Sequence, residues 1–130
     1  VMLIGGAWSI DNPDAPPGWY RRTPDVDWWA DEECSDEEFR QFADTYAIMQ
    51  PRVMITHDCP WKVSKEMFFN SGLLTGVHYP TRTGAFFDTL MDIHQPDEWY
   101  FGHWHFTMQY KYGRTMFHCI GELDHVDVEL

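Results

Sequence analysis

Residues 99–106 read Trp-Tyr-Phe-Gly-His-Trp-His-Phe, an apolar run followed by a glycine and by two histidines one residue apart. The apolar run is typical of a buried strand, and the glycine permits a tight turn at its end. On an extended backbone, residues i and i+2 project to the same face, so we expect the imidazoles of His103 and His105 to lie side by side. Paired imidazoles are awkward in a core and natural at a metal site, so the stretch predicts a strand end that bears ligands.

The composition indicates one globular domain over residues 1–130. The chain is 44% hydrophobic and 17% aromatic, which is enough for one compact core. It has no run of 18 apolar residues, so no membrane span is expected. The net charge of −12 disfavours non-specific binding to nucleic acid or to anionic lipid, because a basic patch normally supplies that attraction.

The cysteines favour a reducing compartment. Their number is odd and no Cys-x-x-Cys pair occurs among Cys34, Cys59 and Cys119. This pattern argues against both a disulfide framework and a thiolate zinc site. The sequence also shows no charged segment followed by an apolar segment and a cleavage site, so we expect a cytoplasmic protein.

Short apolar runs predict buried strands at residues 1–4, 53–55 and 98–101. Further along the chain, residues 106–110 and 115–120 flank a turn that contains glycine, which predicts a hairpin. Apolar and acidic residues alternate at the end, so a closing strand of a β meander is expected around 126–130.

Two helices are predicted between the strands. Ser35 and Glu38 form a capping box, and the apolar spacing after it is helical until Pro51. A second helix is predicted from about Gly84 to His94, before the next proline. Helices that alternate with strands indicate an α/β fold with a mixed sheet, flanking helices and the C-terminal meander.

Candidate functional groups follow the first three predicted strands: Gly5-Gly6, His57 and His103. Open α/β sheets bind ligands beyond the carboxyl ends of their strands, so these groups are expected to converge. Imidazole is a common ligand of transition metals, and the sequence thus predicts a metal site at this edge of the sheet.

The order of the motifs resembles that of the calcineurin-like metallophosphoesterases. Thr-His-Asp at 56–58 is similar to the lone-histidine motif of that family, and Gly-His-Trp-His at 102–105 is similar to its closing Gly-His-x-His motif. Gly-Gly-Ala at 5–7 resembles a turn that often precedes them. The resemblance covers nearly all of the chain and implies part of a four-layer α/β/β/α sandwich.

The same resemblance implies a dinuclear centre with two divalent transition metal ions, such as Mn, Fe, Zn or Ni. His57 and His103 would bind one ion, and His105 would bind the other. The implied activity is hydrolysis of a phosphate-ester substrate, either a monoester or a diester, by metal-activated water.

Other motifs of the family are missing from this sequence. It contains neither Gly-Asp-x-x-Asp nor Asn-His, so the bridging aspartate, the asparagine ligand and the family's catalytic histidine have no counterpart. Asp-Ile-His at 92–94 matches the family's Asp-x-His only in its letters, because it lies on a predicted helix and follows His57. The resemblance therefore predicts the C-terminal portion of a phosphoesterase domain, inactive by itself.

Several alternatives remain open. Asp58 either orients an imidazole or caps the turn that follows it. His78, in a glycine-rich segment, either lines a substrate cleft or is structural. Cys59 lies two residues after His57, but a thiol hydrolase would also need a third group that orients the pair. The alternative to an enzyme is a non-catalytic metal-binding or interaction module that keeps only part of the site.

Overall fold

The computed structural model describes residues 1–8, 13–14, 17, 21–76 and 78–128. Its strands are β1 Met2–Ile4, β2 Val53–Thr56, β3 Glu98–Phe101, β4 Met108–Tyr112 and β5 Thr115–Cys119. Its helices are α1 Asp36–Met49, α2 Trp61–Ser64 and α3 Arg82–Ile93. Helix α2 continues as the π-helical segment Lys65–Asn70, and a 3₁₀ turn spans Ala30–Glu32. The predicted mixed α/β class is confirmed.

The five strands form one mixed sheet in the order β1-β2-β3-β5-β4. Strands β1, β2, β3 and β5 are parallel, and only β4 is antiparallel to its neighbour β5. The carboxyl ends of the four parallel strands therefore lie along one edge of the sheet, and the loops that follow them meet there.

The core lies on the face of the sheet that carries Met2, Met54, Trp99 and Phe117 in register. These residues join one buried apolar cluster with residues of the helices: Tyr46, Val63, Met67, Phe68, Phe87, Leu90 and Met91. Aromatic contacts connect the two layers, since the ring of Trp99 lies 5.5 Å from that of Phe87. Burial of this apolar surface is the main force that holds helices and sheet together.

The other face of the sheet carries the alternate row Leu3, Ile55, Tyr100 and His118. Leu3 is 68% exposed, whereas Tyr100 is buried and stacks on His118 with 4.4 Å between ring centroids. The helical core residues thus cover one face of β1, and the opposite face of this strand remains open to solvent.

Local sequence signals explain where the two long helices begin. At α1, Ser35 Oγ accepts a hydrogen bond from Glu38 N, and the Glu38 carboxylate accepts one from Ser35 N at 2.8 Å. The bonds that the Glu38 carboxylate accepts from Ser35 N and from Ser35 Oγ lower the pKa of Glu38. Helix α3 begins two residues before the predicted Gly84, because Thr81 Oγ1 accepts from Gly84 N at 2.9 Å and acts as the N-cap.

One helical stretch has no counterpart among the predictions, and one predicted strand is wrong. The helical stretch runs from Trp61 to Asn70, and its N-cap Pro60 offers no capping side chain. The meander is limited to the hairpin β4–β5, because residues 121–128 form no strand and Val126 is 46% exposed with no buried face to support one. The final two residues of the expected closing strand lie outside the described residues.

None of the described helices is long and apolar enough to cross a membrane.

Replacement of Leu90 by alanine tests the assignment of the core. Leu90 is fully buried on α3, so we expect Leu90→Ala to lower the free energy of unfolding by about 2–5 kcal/mol. Ile48 on α1 is 85% exposed, and Ile48→Ala should change it by less than about 0.5 kcal/mol. Urea unfolding followed by circular dichroism measures both values, and equal losses would contradict the placement of α3.

Candidate metal centre

A cavity of about 800 Å³ opens at the carboxyl-end edge of the parallel strands. Its lining comes from the loops after all four of these strands and from the segment before α1: Gly6, Ala7, Arg22, Glu32, His57, Gly102, His103, His105, Ile120, Gly121 and Glu122. The structure therefore brings His57, His103 and His105, the three predicted metal ligands, to one cavity.

The closest pair in the cavity is formed by His57 and His103. Their strands pair in register up to Thr56 and Phe101, and Gly102 N donates to His57 O at 3.1 Å just beyond the strand ends. His57 Nε2 lies 3.1 Å from His103 Nδ1, and the two rings are nearly perpendicular at 72°. The two nitrogens form a hydrogen bond when one of them carries the proton, and they offer two ligand atoms when neither does.

The expectation of an extended backbone through the histidines is wrong. His103 and His105 have φ values of 66° and 58°, in the left-handed region. The chain turns here because the indole of Trp104 stacks on Phe68 in the core, with 4.6 Å between centroids. Each left-handed residue costs about 1–2 kcal/mol, and this packing offsets that cost. The histidines consequently flank a packed tryptophan instead of lying side by side on a strand.

His105 pairs with a residue that the sequence reasoning missed. Its Nδ1 lies 3.3 Å from Oε2 of Glu122, and both side chains are exposed. Glu122 reaches the cavity because β5 is parallel to β3, and that pairing cannot be read from the local pattern of residues 115–120. Glu32 is a second carboxylate of the lining that the sequence reasoning missed.

Burial of the imidazole lowers the pKa of His103. The carboxylate of Asp58 acts in the opposite direction, and the neighbouring His57 and His105 lower the pKa further. A lowered pKa favours the neutral ring near pH 7, and the neutral ring is the form that binds metals.

The donor chemistry fits part of a transition-metal site. Mn, Fe, Zn and Ni ions accept imidazole nitrogen. Two ligands of a tetrahedral ion with bonds of about 2.0–2.1 Å lie about 3.3 Å apart, which is close to the 3.1 Å between His57 and His103. Within residues 21–76 and 78–128, and in the shorter described segments, no three His, Cys, Asp or Glu side chains are grouped to hold one ion.

Asp58 acts on its own turn and on the tryptophan between the histidines. It is 4% exposed, and its Oδ1 accepts from Cys59 N and from Trp104 Nε1, both at 2.8 Å. Asp58 thus bonds to the backbone of the turn that follows it, as in the turn-cap alternative, and its second bond goes to the indole of Trp104.

His78 is not among the residues that line this cavity. Its Nε2 lies 2.8 Å from Ser64 Oγ, and its ring stacks on Phe69 with 4.3 Å between centroids. Burial lowers the pKa of His78. These contacts give the imidazole a packing role beside Trp104, whose ring meets it edge-on at 5.5 Å.

The remaining polar candidates have structural partners. His94 Nε2 lies 3.1 Å from the carbonyl oxygen of Pro51, next to the end of α3, which confirms that Asp-Ile-His at 92–94 belongs to a helix end. Cys59 is buried, and this burial raises the pKa of its thiol well above the usual value. A buried protonated thiol is a poor nucleophile, so the geometry disfavours a thiol hydrolase.

No family model, curated protein or solved structure matches this chain.

Thiol labelling tests this view of the cysteines. Burial raises the pKa of Cys119 to about 11, so only about one such thiol in a thousand is ionised at pH 8. We expect iodoacetamide at pH 8 to spare Cys59 and Cys119 in the folded protein, to label the half-buried Cys34 first, and to label all three in urea. Mass spectrometry of peptides reads the sites, and preferential labelling of Cys59 in the folded protein would revive the thiol hydrolase hypothesis.

Proposed function

We propose that this chain supplies the histidine ligands of a dinuclear metal centre in a phosphoesterase. One observation carries the proposal: His57 and His103, 46 positions apart in the sequence, hold two ring nitrogens 3.1 Å from each other in the cavity at the strand ends. The two histidines belong to the two motifs that resemble the metallophosphoesterases, and they meet at the edge where α/β sheets bind ligands.

In this proposal His57 and His103 hold one ion, and His105 holds the second. Two such ions, when bound, activate water and offset negative charge on phosphoryl oxygens. The chain's own residues bind the ions and orient the ligands. The hydrogen bond from Gly102 N to His57 O holds the backbone just before His103 next to the backbone of His57. Glu122 fixes one ring nitrogen of His105 and leaves the other for a ligand contact.

The charge of the protein supports a requirement for cations in the cavity. With a net charge of −12, the chain repels a phosphate ester unless positive charge is placed where the ester binds. Arg22 lines the cavity, where it forms an ion pair with Glu32 at 3.7 Å. A guanidinium binds phosphate oxygens in a bidentate manner, so an incoming ester would compete with Glu32 for Arg22.

The finer fold belongs to the same proposal. We place the sheet as one of the two central layers of an α/β/β/α sandwich, with the second sheet on the face of Leu3 and Ile55. Val1 and Leu3 are 48% and 68% exposed, and with the half-buried Ile55 beside Leu3 they form an apolar surface that a further layer would cover. The second sheet would bring the aspartate and asparagine ligands that the resemblance implies and this sequence lacks, and it would complete the active domain.

Metal titration tests the ligand assignment. We expect metal-free protein to bind Zn²⁺ or Mn²⁺, and His57→Ala and His103→Ala to weaken binding of the same ion, each by at least about tenfold. His105→Ala should affect a different ion. Isothermal titration calorimetry and elemental analysis measure affinity and stoichiometry.

His125→Ala is the control, because His125 is exposed and does not belong to the cavity lining. It should bind metal as the wild type does. A wild-type protein that binds neither ion contradicts the proposal.

Turnover is measured on the complete protein that carries this sequence, since the missing aspartate and asparagine ligands are proposed to lie outside these residues. We expect metal-dependent hydrolysis of p-nitrophenyl phosphate or of bis(p-nitrophenyl) phosphate, and loss of that activity in His103→Ala. A complete protein that binds both ions and hydrolyses neither compound is a non-catalytic metal-binding module, and this result overturns the enzyme proposal.

A further inference from the structure

We infer that Asp58 is a positioning residue that sets the directions of His103 and His105 through the indole of Trp104. The inference rests on the proposed function in treating the two histidines as ligands. Its structural basis is independent of bound metal, because it concerns a buried carboxylate, an indole and the backbone between two cavity histidines.

Two hydrogen bonds from neighbouring residues hold Asp58 in place, one at its carboxylate and one at its backbone. Cys59 N donates to Oδ1 at 2.8 Å, and the hydroxyl of Thr56 bonds to the carbonyl oxygen of Asp58. The same Oδ1 also accepts a hydrogen bond from Trp104 Nε1 at 2.8 Å, and this bond connects the loop after β2 to the loop after β3. A turn cap needs only the bond from Cys59, so the bond to Trp104 is an additional function of this side chain.

Trp104 in turn holds the backbone conformation of the two residues beside it. Its indole is held at Nε1 by Asp58 and on its face by Phe68, and its backbone N–H bonds to Gly102 O at 2.7 Å. His103 and His105, immediately before and after it, have left-handed backbones. Such conformations persist in non-glycine residues only where the surroundings fix them, and the anchored indole is the fixed point between the two.

This arrangement differs from the usual support of a metal-binding histidine. A ligating imidazole commonly donates its other N–H directly to a carboxylate. Here a buried carboxylate instead holds the residue between two imidazoles, so one acidic group orients both of them.

A matched pair of tryptophan variants tests the inference. Trp104→Phe keeps an aromatic ring on Phe68, and it removes the bond to Asp58 together with part of the indole's contacts with Phe69 and His78. Trp99→Phe is the control, because Trp99 Nε1 also donates to one side-chain oxygen, Thr56 Oγ1 at 2.7 Å, but no cavity histidine adjoins this buried tryptophan. We expect Trp104→Phe to weaken Zn²⁺ binding about 10–100-fold, and Trp99→Phe to lower the urea midpoint with unchanged Zn²⁺ affinity.

Two variants of Asp58 separate positioning from folding. The amide oxygen in Asp58→Asn can accept both hydrogen bonds, so this variant should bind Zn²⁺ with an affinity close to that of the wild type. Asp58→Ala loses both bonds and should resemble Trp104→Phe. Urea unfolding establishes that each variant is folded at the start of the titration.

A readout without metal distinguishes this inference from the proposed function. In metal-free protein, the ring ¹⁵N–¹H resonances of His103 and His105 should shift in Trp104→Phe and in Asp58→Ala, and stay in place in Trp99→Phe. If the wild type binds no Zn²⁺ but these shifts occur, the proposed function fails and the positioning role stands. If Trp104→Phe changes neither the resonances nor the affinity beyond what Trp99→Phe does, the inference is overturned.

Discussion

The parallel pairing of β2 with β3 is the constraint on which the rest of the site depends. It places Thr56 opposite Phe101, so the next residues of both strands leave the sheet at the same level. The bond from Gly102 N to His57 O continues this pairing for one step. Two histidines from distant motifs meet because a backbone ladder aligns them, and no bond between their side chains is needed to bring them together.

The core and the cavity are joined through aromatic side chains. Phe68 belongs to the buried cluster between helices and sheet, and it also carries the indole of Trp104 on its face. The packing of Trp104 on Phe68 therefore offsets the unfavourable left-handed backbone of His103 and His105. The short distance between His57 and His103 is thus a property of the whole domain as well as of one loop.

Much of this architecture could be predicted from the sequence. The capping box at Ser35 and the apolar runs that became β1, β2 and β3 act locally, so local patterns revealed them. Strand order is a non-local property, so the sequence did not reveal that β5 pairs in parallel with β3. For the same reason it did not reveal that Glu122 lines the cavity. The turn at Trp104 was missed for a related reason, since tertiary packing on Phe68 overrides the extended preference of the local sequence.

The ring contacts of Trp104 depend on the number of residues in the π-helical segment Lys65–Asn70. Its wider turn lets two consecutive residues, Phe68 and Phe69, contact the same indole, one face to face at 4.6 Å and the other edge-on at 6.1 Å. Removal of one residue would tighten this segment to an ordinary α-helix and withdraw one of the two rings from Trp104. Over evolutionary time, deletions in this helix should therefore be rarer than substitutions, even at its solvent-exposed positions.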